Sequence, residues 1–284
     1  MGRSRYLQYL HHRSSDQGPG RIVKEFATLE AIKRTVLTQA CRANRLPCPR
    51  SAPAIDNWNA GRDRWKRFLP QERTRVRLRT PIDGSDYVNA DRYSPADTLP
   101  VCTAAAATRS YLLTQAPTPN SMAAFWEMVW EQEVQLIVML TPLRENGHLK
   151  AHSYWSTDGG AAYGPFRIVS VVEQASDALR NSTDASRDPG DEQPAWITRT
   201  ITVERQPGMA GASERRTVRQ LQFLAWPDSD IPPLSLFLQF FQSYVSIAST
   251  LDPSKPLVVH CSGKSLSQNG HLLPHHLVNV VVTA

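Results

Sequence analysis

Two short pieces of this 284-residue chain carry residue types that can do chemistry together. Leu257-Val-Val-His260-Cys261-Ser262 is an apolar run that breaks off into three polar residues. A strand of this kind delivers its cysteine to the carboxyl end, where α/β proteins present reactive groups. Upstream, Trp226-Pro227-Asp228 sets a carboxylic acid in a turn. A thiol with an ordinary pKa of ~8.5 is mostly protonated at neutral pH, and a helix amino terminus or oriented amides are needed to lower it. A carboxyl held in a closing loop can then give a leaving group its proton. Cys261 is therefore the candidate nucleophile and Asp228 the candidate general acid. Pro227 stiffens the turn, and Trp226 is read as its packed hinge.

The elements that must hold these residues follow from hydrophobic periodicity. Val134–Leu140 is a nearly continuous apolar run, which predicts a central strand buried on both faces. It follows Met122–Gln132, where Phe125, Trp126, Val129 and Trp130 share one helical face, so helix leads into buried strand as in α/β folds. Arg73–Leu78, Asp86–Ala90 and Tyr111–Thr114 read as shorter strands. Phe166–Val172, Ile197–Val203 and Val218–Leu224 alternate and read as a strand-rich second half. Leu234–Ser249 predicts a helix with Phe237, Phe240, Phe241, Tyr244 and Ile247 inward. Phe26–Arg45 predicts a further amphipathic helix, Leu46–Ala60 a loop and Gly208–Ser213 a turn. Residues 1–22 are expected to be a flexible basic amino terminus. Ser176–Pro194, rich in Ser, Asp and Pro, is expected to be a mobile surface insertion. No internal repeat is present.

Composition narrows the class. With 41% hydrophobic and 20% charged residues the chain reads as soluble and globular. No apolar run is long enough to span a membrane, and the amino terminus has no signal core. The four cysteines, Cys41, Cys48, Cys102 and Cys261, form no CxxC pair. That pattern favours reduced thiols in the cytoplasm or nucleus. Residues 1–80 hold 18 Lys+Arg against 6 Asp+Glu, and the remainder holds 14 against 20. Without interleaved aromatics or zinc-ligand spacing, the basic part reads as a solvated face around an anion site and not as a nucleic-acid interface.

A family resemblance rests on several motifs in order. These are Arg64-Trp65-Lys66 with Thr74-Arg75-Val76, then Asp86-Tyr87-Val88-Asn89-Ala90, then Tyr111-Leu-Leu-Thr-Gln115-Ala-Pro117. Phe125-Trp126-Glu-Met-Val-Trp130-Glu follows, then Val138–Thr141, Glu145-Asn-Gly147-His-Leu-Lys150 and Tyr154-Trp155. Trp226-Pro227-Asp228 and His260-Cys261-Ser262 complete the series. Over residues 23–262 the chain resembles the catalytic domain of the cysteine-based protein-tyrosine phosphatases. The resemblance implies a central, twisted mixed sheet flanked by helices, and hydrolysis of phosphotyrosine in proteins through a phosphocysteine at Cys261. Asp228 would act as acid and then base, with no metal or cofactor. Trp65 stands where the family has a tyrosine that stacks on the substrate ring, and an indole face can stack too. Asn89 would make a structural or substrate-backbone contact, Ser262 would line the phosphate site, and His260 would support it. Gln115 would order loops. Glu145 and Lys150 would brace the active-site arginine and the acid loop.

The chain departs from the pattern after Ser262. The family motif places arginine six residues after the cysteine, and here that residue is Ser267. Gly263 and Lys264 replace an Ala-Gly pair, and no arginine follows Arg219. A planar guanidinium that grips two phosphate oxygens is thus missing. By analogy with catalytic arginines in phosphoryl transfer, its loss costs on the order of 10³–10⁵ in rate. Residues 263–284 form a non-matching tail, in which the water-positioning loop and the closing carboxyl-terminal helices of the family are not found. Gly263-Lys264-Ser265 can be encoded with a splice-donor consensus, so one expectation is that the tail is translated intron; sequencing the transcript across Ser262 checks it. The alternative function is a pseudophosphatase that binds phosphotyrosine or a partner protein without turnover.

Overall fold

The computed structural model describes residues 61–65, 69–70, 72–94, 109–156, 162–180, 193–206, 212–227 and 232–263. All of these lie in one compact unit, Ser51–Pro274. The helix expected over Phe26–Arg45, the loop 46–60, the basic terminus 1–22, most of the turn 208–213, Asp228 and the tail from Lys264 onward fall outside the described residues.

The strands are β1 (Arg75–Ile82), β2 (Ser85–Tyr93), β3 (Tyr111–Gln115), β4 (Leu136–Met139), β5 (Arg144–Glu145), β6 (His148–Leu149), β7 (Ala162–Tyr163) and β8 (Phe166–Ala175). They continue with β9 (Leu179–Arg180), β10 (Gln193–Pro194), β11 (Trp196–Arg205), β12 (Glu214–Phe223) and β13 (Leu257–Cys261). Two helices, α1 (Met122–Glu131) and α2 (Leu234–Ala248), complete the described elements. Nine of the strands form one mixed sheet in the order β1-β2-β3-β13-β4-β12-β11-β8-β7. Its centre is parallel: β13 lies between β3 and β4, and β4 pairs in parallel with β12. The outer strands are antiparallel. Parallel strands need cover on both faces, which explains why β3, β4 and most of β13 are buried runs without alternation.

The two helices provide that cover. Along β13 the period of two sends Val258 and His260 to one face and Leu257 and Val259 to the other. Val258 belongs to the core that α1 fills with Phe125, Trp126, Met128 and Val129. The opposite face receives α2, whose Phe240 meets Phe223 of β12 and Trp196 of β11. Helix α1 is buried nearly all round, and its Glu127 is met at the sheet by Arg205 with contacts of 2.9 and 3.1 Å. Burial still raises the Glu127 carboxyl above its ordinary range, against the pull of Arg205. The helix ends in a Schellman turn: Val134 N donates to Val129 O while Glu133 takes a left-handed φ of 53°. That turn consumes Val134, so the central strand starts at Leu136.

The β1–β2 hairpin closes through Asp83 and Gly84, both left-handed, between the paired residues Ile82 and Ser85. This is the two-residue turn that Asp-Gly favours. The Ser176–Pro194 segment departs from its expected looseness at both ends. Leu179–Arg180 and Gln193–Pro194 pair as a two-stranded antiparallel sheet.

Candidate active site

Position in the sheet is the first thing that makes Cys261 a candidate. β13 is a central strand, and Cys261 is its last residue, paired with Gln115 at the end of β3. Its side chain is half-buried. Gly263 N donates toward Sγ at 3.3 Å, a backbone amide aimed at the sulfur. The Cys261 carbonyl accepts from Ala116 N at 2.9 Å and lies 3.2 Å from His260 Nδ1. The backbone of Cys261 is therefore held from β3 and from its own neighbour.

His260 is buried and belongs to a polar chain with a fixed direction. Arg199 of β11 can only donate, and its Nη1 gives hydrogen bonds to Gln220 Oε1 at 2.8 Å and Gln222 Oε1 at 2.6 Å. Gln220 Nε2 then donates to Tyr154 OH at 2.6 Å. The Tyr154 hydroxyl has its proton left for His260 Nε2, 2.8 Å away. His260 is thus left with its proton on Nδ1, facing the Cys261 carbonyl. Burial pushes the His260 pKa down to about 4, although the bond to Cys261 pulls the other way. The ring is neutral at physiological pH, a fixed spacer and not an acid. Burial likewise raises the Tyr154 phenol well above its usual range. Trp155, next to Tyr154, lies under the Arg199 guanidinium at 4.3 Å and steadies the start of the chain.

Residues 61–65 are fastened one by one, and the last of them lies beside Ser262. Arg62 donates to Ile82 O and Tyr87 O at 2.7 and 3.3 Å. Asp63 Oδ1 accepts from Tyr87 OH at 2.8 Å and Asn89 Nδ2 at 2.7 Å. Arg64 reaches Ala116 O, Pro117 O and His152. Trp65 is gripped at both backbone polar groups by the Gln115 amide, each bond 3.0 Å. Its indole Nε1 donates to Ser262 O at 3.0 Å. Half-buried Trp65 thus forms a wall tied directly to the residue after Cys261. Asn89 supports that wall through Asp63. Ser262 is buried, and its Oγ makes no hydrogen bond among the described residues.

Gly263 fits this wall because it lacks a side chain. Its φ is +89°, and a Cβ there would sit 2.8 Å from Trp65 Cδ1 and 2.9 Å from Gln115 Cγ. The left-handed backbone and the approach of both Trp65 and Gln115 therefore leave no room for a side chain at this position. Gly263→Ala is expected to destabilise by about 1–3 kcal/mol, read as a lower urea midpoint.

The remaining candidates stand as follows. Lys150 Nζ pairs with Glu145 Oε2 at 3.7 Å, both side chains largely buried at the β5–β6 hairpin. Trp226 packs edge-on against Phe237 of α2 and Phe223 of β12, at 5.8 and 6.3 Å, so Trp226 is anchored to the sheet and to α2. Pro227 is half-buried after it, and Asp228 itself lies outside the described residues. No group of three or more His, Cys, Asp or Glu capable of holding a metal occurs among the described residues. Sequence reading passed over Arg199, Gln220 and His152. The only signal for them was polarity at strand or turn positions that ordinarily face solvent.

Residues 59–264, which include the strand-borne Cys261, the Trp65 wall and the Trp226-Pro227-Asp228 motif, match the family Protein-tyrosine phosphatase. The chain belongs to the protein-tyrosine phosphatase family. Mouse tyrosine-protein phosphatase non-receptor type 7 is 36% identical over 206 residues, covering 72% of this chain and 48% of that protein. Rat receptor-type tyrosine-protein phosphatase F is 32% identical over 212 residues, 72% of this chain and 9% of that protein. The chain thus spans about half, or far less, of the curated relatives it matches. Two structures of the phosphatase PTPN18 share the fold. One, from work on its fingerprint on HER2 tyrosine phosphorylation sites, has a TM-score of 0.61 at 25% identity and covers 85% of this chain and 73% of its own. The other, a complex with HER2 phosphopeptides, has a TM-score of 0.64 at 23% identity and covers 93% and 78%. The mixed sheet with helices on both faces is therefore the protein-tyrosine phosphatase fold. No described helix is long and apolar enough to cross a membrane.

Proposed function

We propose that this protein-tyrosine phosphatase domain takes phosphotyrosine of protein substrates at Cys261 and turns it over slowly. The observation that carries the reading is the Gly263 amide on Cys261 Sγ at the end of the central strand, next to the Trp65 wall. The phenyl ring would stack on Trp65 while the thiolate attacks phosphorus. The P–O bond to the phenol breaks, and Asp228 gives the departing oxygen its proton. Asp228 then takes a proton from water as that water hydrolyses the phosphocysteine and releases phosphate. The role of Asp228 rests on the WPD motif, and Trp226 supports it by anchoring the turn. Ser267, where the motif has arginine, is the reason for slow turnover. Ser267 also favours a second reading, a pseudophosphatase that holds phosphotyrosine without hydrolysing it. The cysteine usage supports a reducing compartment, cytoplasm or nucleus.

Acid quench of the chain with a phosphotyrosyl peptide, followed by mass spectrometry, separates the readings. Phosphate on Cys261 is expected, with its loss in Cys261→Ser and unchanged peptide binding by fluorescence polarisation. Binding without phosphocysteine would move the protein to the pseudophosphatase reading. Absence of both would remove the phosphotyrosine site altogether.

A further inference from the structure

The turn that follows β6 reaches Cys261 from two directions. Tyr154 runs to His260 and so to the Cys261 carbonyl. His152, two residues earlier, meets Arg64 Nη2 through Nδ1 at 2.5 Å. Arg64 donates to Ala116 O and Pro117 O, each at 3.1 Å. Ala116 N is the donor to Cys261 O, and Trp65, next in the chain to Arg64, is the wall tied to Ser262 O. One guanidinium therefore joins the turn, the end of β3 and the wall.

That junction has a protonation requirement. Arginine has donors and no acceptor, so His152 Nδ1 can face it only while unprotonated. The ring then carries its proton on Nε2 and is neutral. We infer that His152 is a positioning residue for the cleft: its protonation in mildly acidic solution expels Arg64 and loosens the Trp65 wall beside Cys261. Partial burial and then Arg64 itself hold the ring below its ordinary pKa, so the junction is closed at neutral pH. Arg64 is the charged group that bears on His152 among the described residues, and it bears on His260 too. Lys150, on the same turn, is paired with Glu145, and Asp63, next to Arg64, accepts from Tyr87 and Asn89. The sign follows. The closed wall binds one proton fewer than the open one, so acid favours the open one. Burial holds His260, the other histidine of the junction, down to about 4.

The inference rests on the proposed phosphotyrosine site for its consequence, but its primary readout needs no substrate. The indole N–H resonance of Trp65, assigned with Trp65→Phe, is followed by NMR in the full chain from about pH 7.5 to about 5.5. Wild type is expected to lose the hydrogen-bonded shift, with hydrogen exchange at Nε1 faster by roughly tenfold beyond its intrinsic change. His152→Asn keeps an acceptor for Arg64 without titrating, and its resonance should stay in place. His152→Lys should show the open shift already at neutral pH. A wild-type resonance that does not move, or one that moves equally in His152→Asn, overturns the inference, and this pair decides even where His152→Lys fails to fold. Affinity for a fluorescein-labelled phosphotyrosyl peptide should fall about fivefold more in wild type than in His152→Asn over the same range. The asparagine variant subtracts the titration of the phosphate itself, whose second pKa is ~6. A moving indole with no peptide bound at any pH would sink the phosphotyrosine site and leave the junction standing.

Discussion

Ser267→Arg is expected to raise turnover of a phosphotyrosyl peptide by on the order of 10³-fold or more. The residue lies six positions after Cys261, where the family motif carries its arginine. A guanidinium offers two parallel donors to two phosphate oxygens and strengthens that grip as charge develops in the transition state. Serine offers one neutral hydroxyl, which can hold an oxygen but not follow the change of charge. Interactions made stronger in the transition state raise kcat, whereas those equal in both states lower KM alone. The gain should therefore appear in kcat and be accompanied by a smaller change in KM. Initial rates with the peptide, wild type against variant, check it. Cys261→Ser in the Ser267→Arg background must return the rate to background, which ties the gain to the thiolate. A gain below tenfold would show that the segment after Gly263 does not cradle phosphate even when given its cation, and the binding-only reading would then be preferred.

What the sequence made legible depended on how local the signal was. The central strand could be read because Leu257–Val259 and Leu136–Met139 are continuous apolar runs, and burial on both faces permits nothing else. Helix α2 was legible from the spacing of Phe237, Phe240, Phe241 and Tyr244. The Trp65 wall was half legible. Its place beside Cys261 followed from the motif, while the bond from its indole to Ser262 O joins residues 197 positions apart and leaves no local mark. The polar chain behind His260 was hidden for a different reason. Gln220 and Gln222 alternate with Leu221 and Phe223, so period-two reading sends the glutamines to solvent. In the fold β12 is covered on both faces, and the two amides are buried. They are tolerated there because Arg199 from the neighbouring strand satisfies both oxygens, and Tyr154 and Thr141 O take the nitrogens. The ends of the Ser176–Pro194 segment pair as strands although their composition is that of a loop, because the partner across a two-residue ladder is not encoded locally.

Removal of one hydroxyl from that buried chain should have the largest effect on stability. Tyr154→Phe leaves Gln220 Nε2 with only the weak Met139 thioether at 3.8 Å and His260 Nε2 without its donor, both away from water. Two unsatisfied buried groups cost about 2–4 kcal/mol together, with no compensating gain in volume. The loss should appear as a lower urea midpoint at pH 7 with the slope of the transition unchanged. The effect of acid is separate and comes from His260 itself. Its folded pKa of about 4 lies below the ordinary 6.5, so the unfolded chain takes up the proton first. Stability is therefore complete above pH ~6.5 and is lost as pH falls toward ~4, by on the order of 3 kcal/mol in all. His260→Gln can still accept from Tyr154 and cannot titrate, so it should flatten most of that slope and leave the share that belongs to His152, whose folded pKa is likewise lowered by burial and Arg64. Tyr154→Phe, in contrast, lowers the whole curve. Urea midpoints at pH 7 and pH 5 for the three chains separate the two contributions. If Tyr154→Phe matches wild type at pH 7, the chain from Arg199 to His260 does not hold β13, and the direction assigned to its protons fails with it.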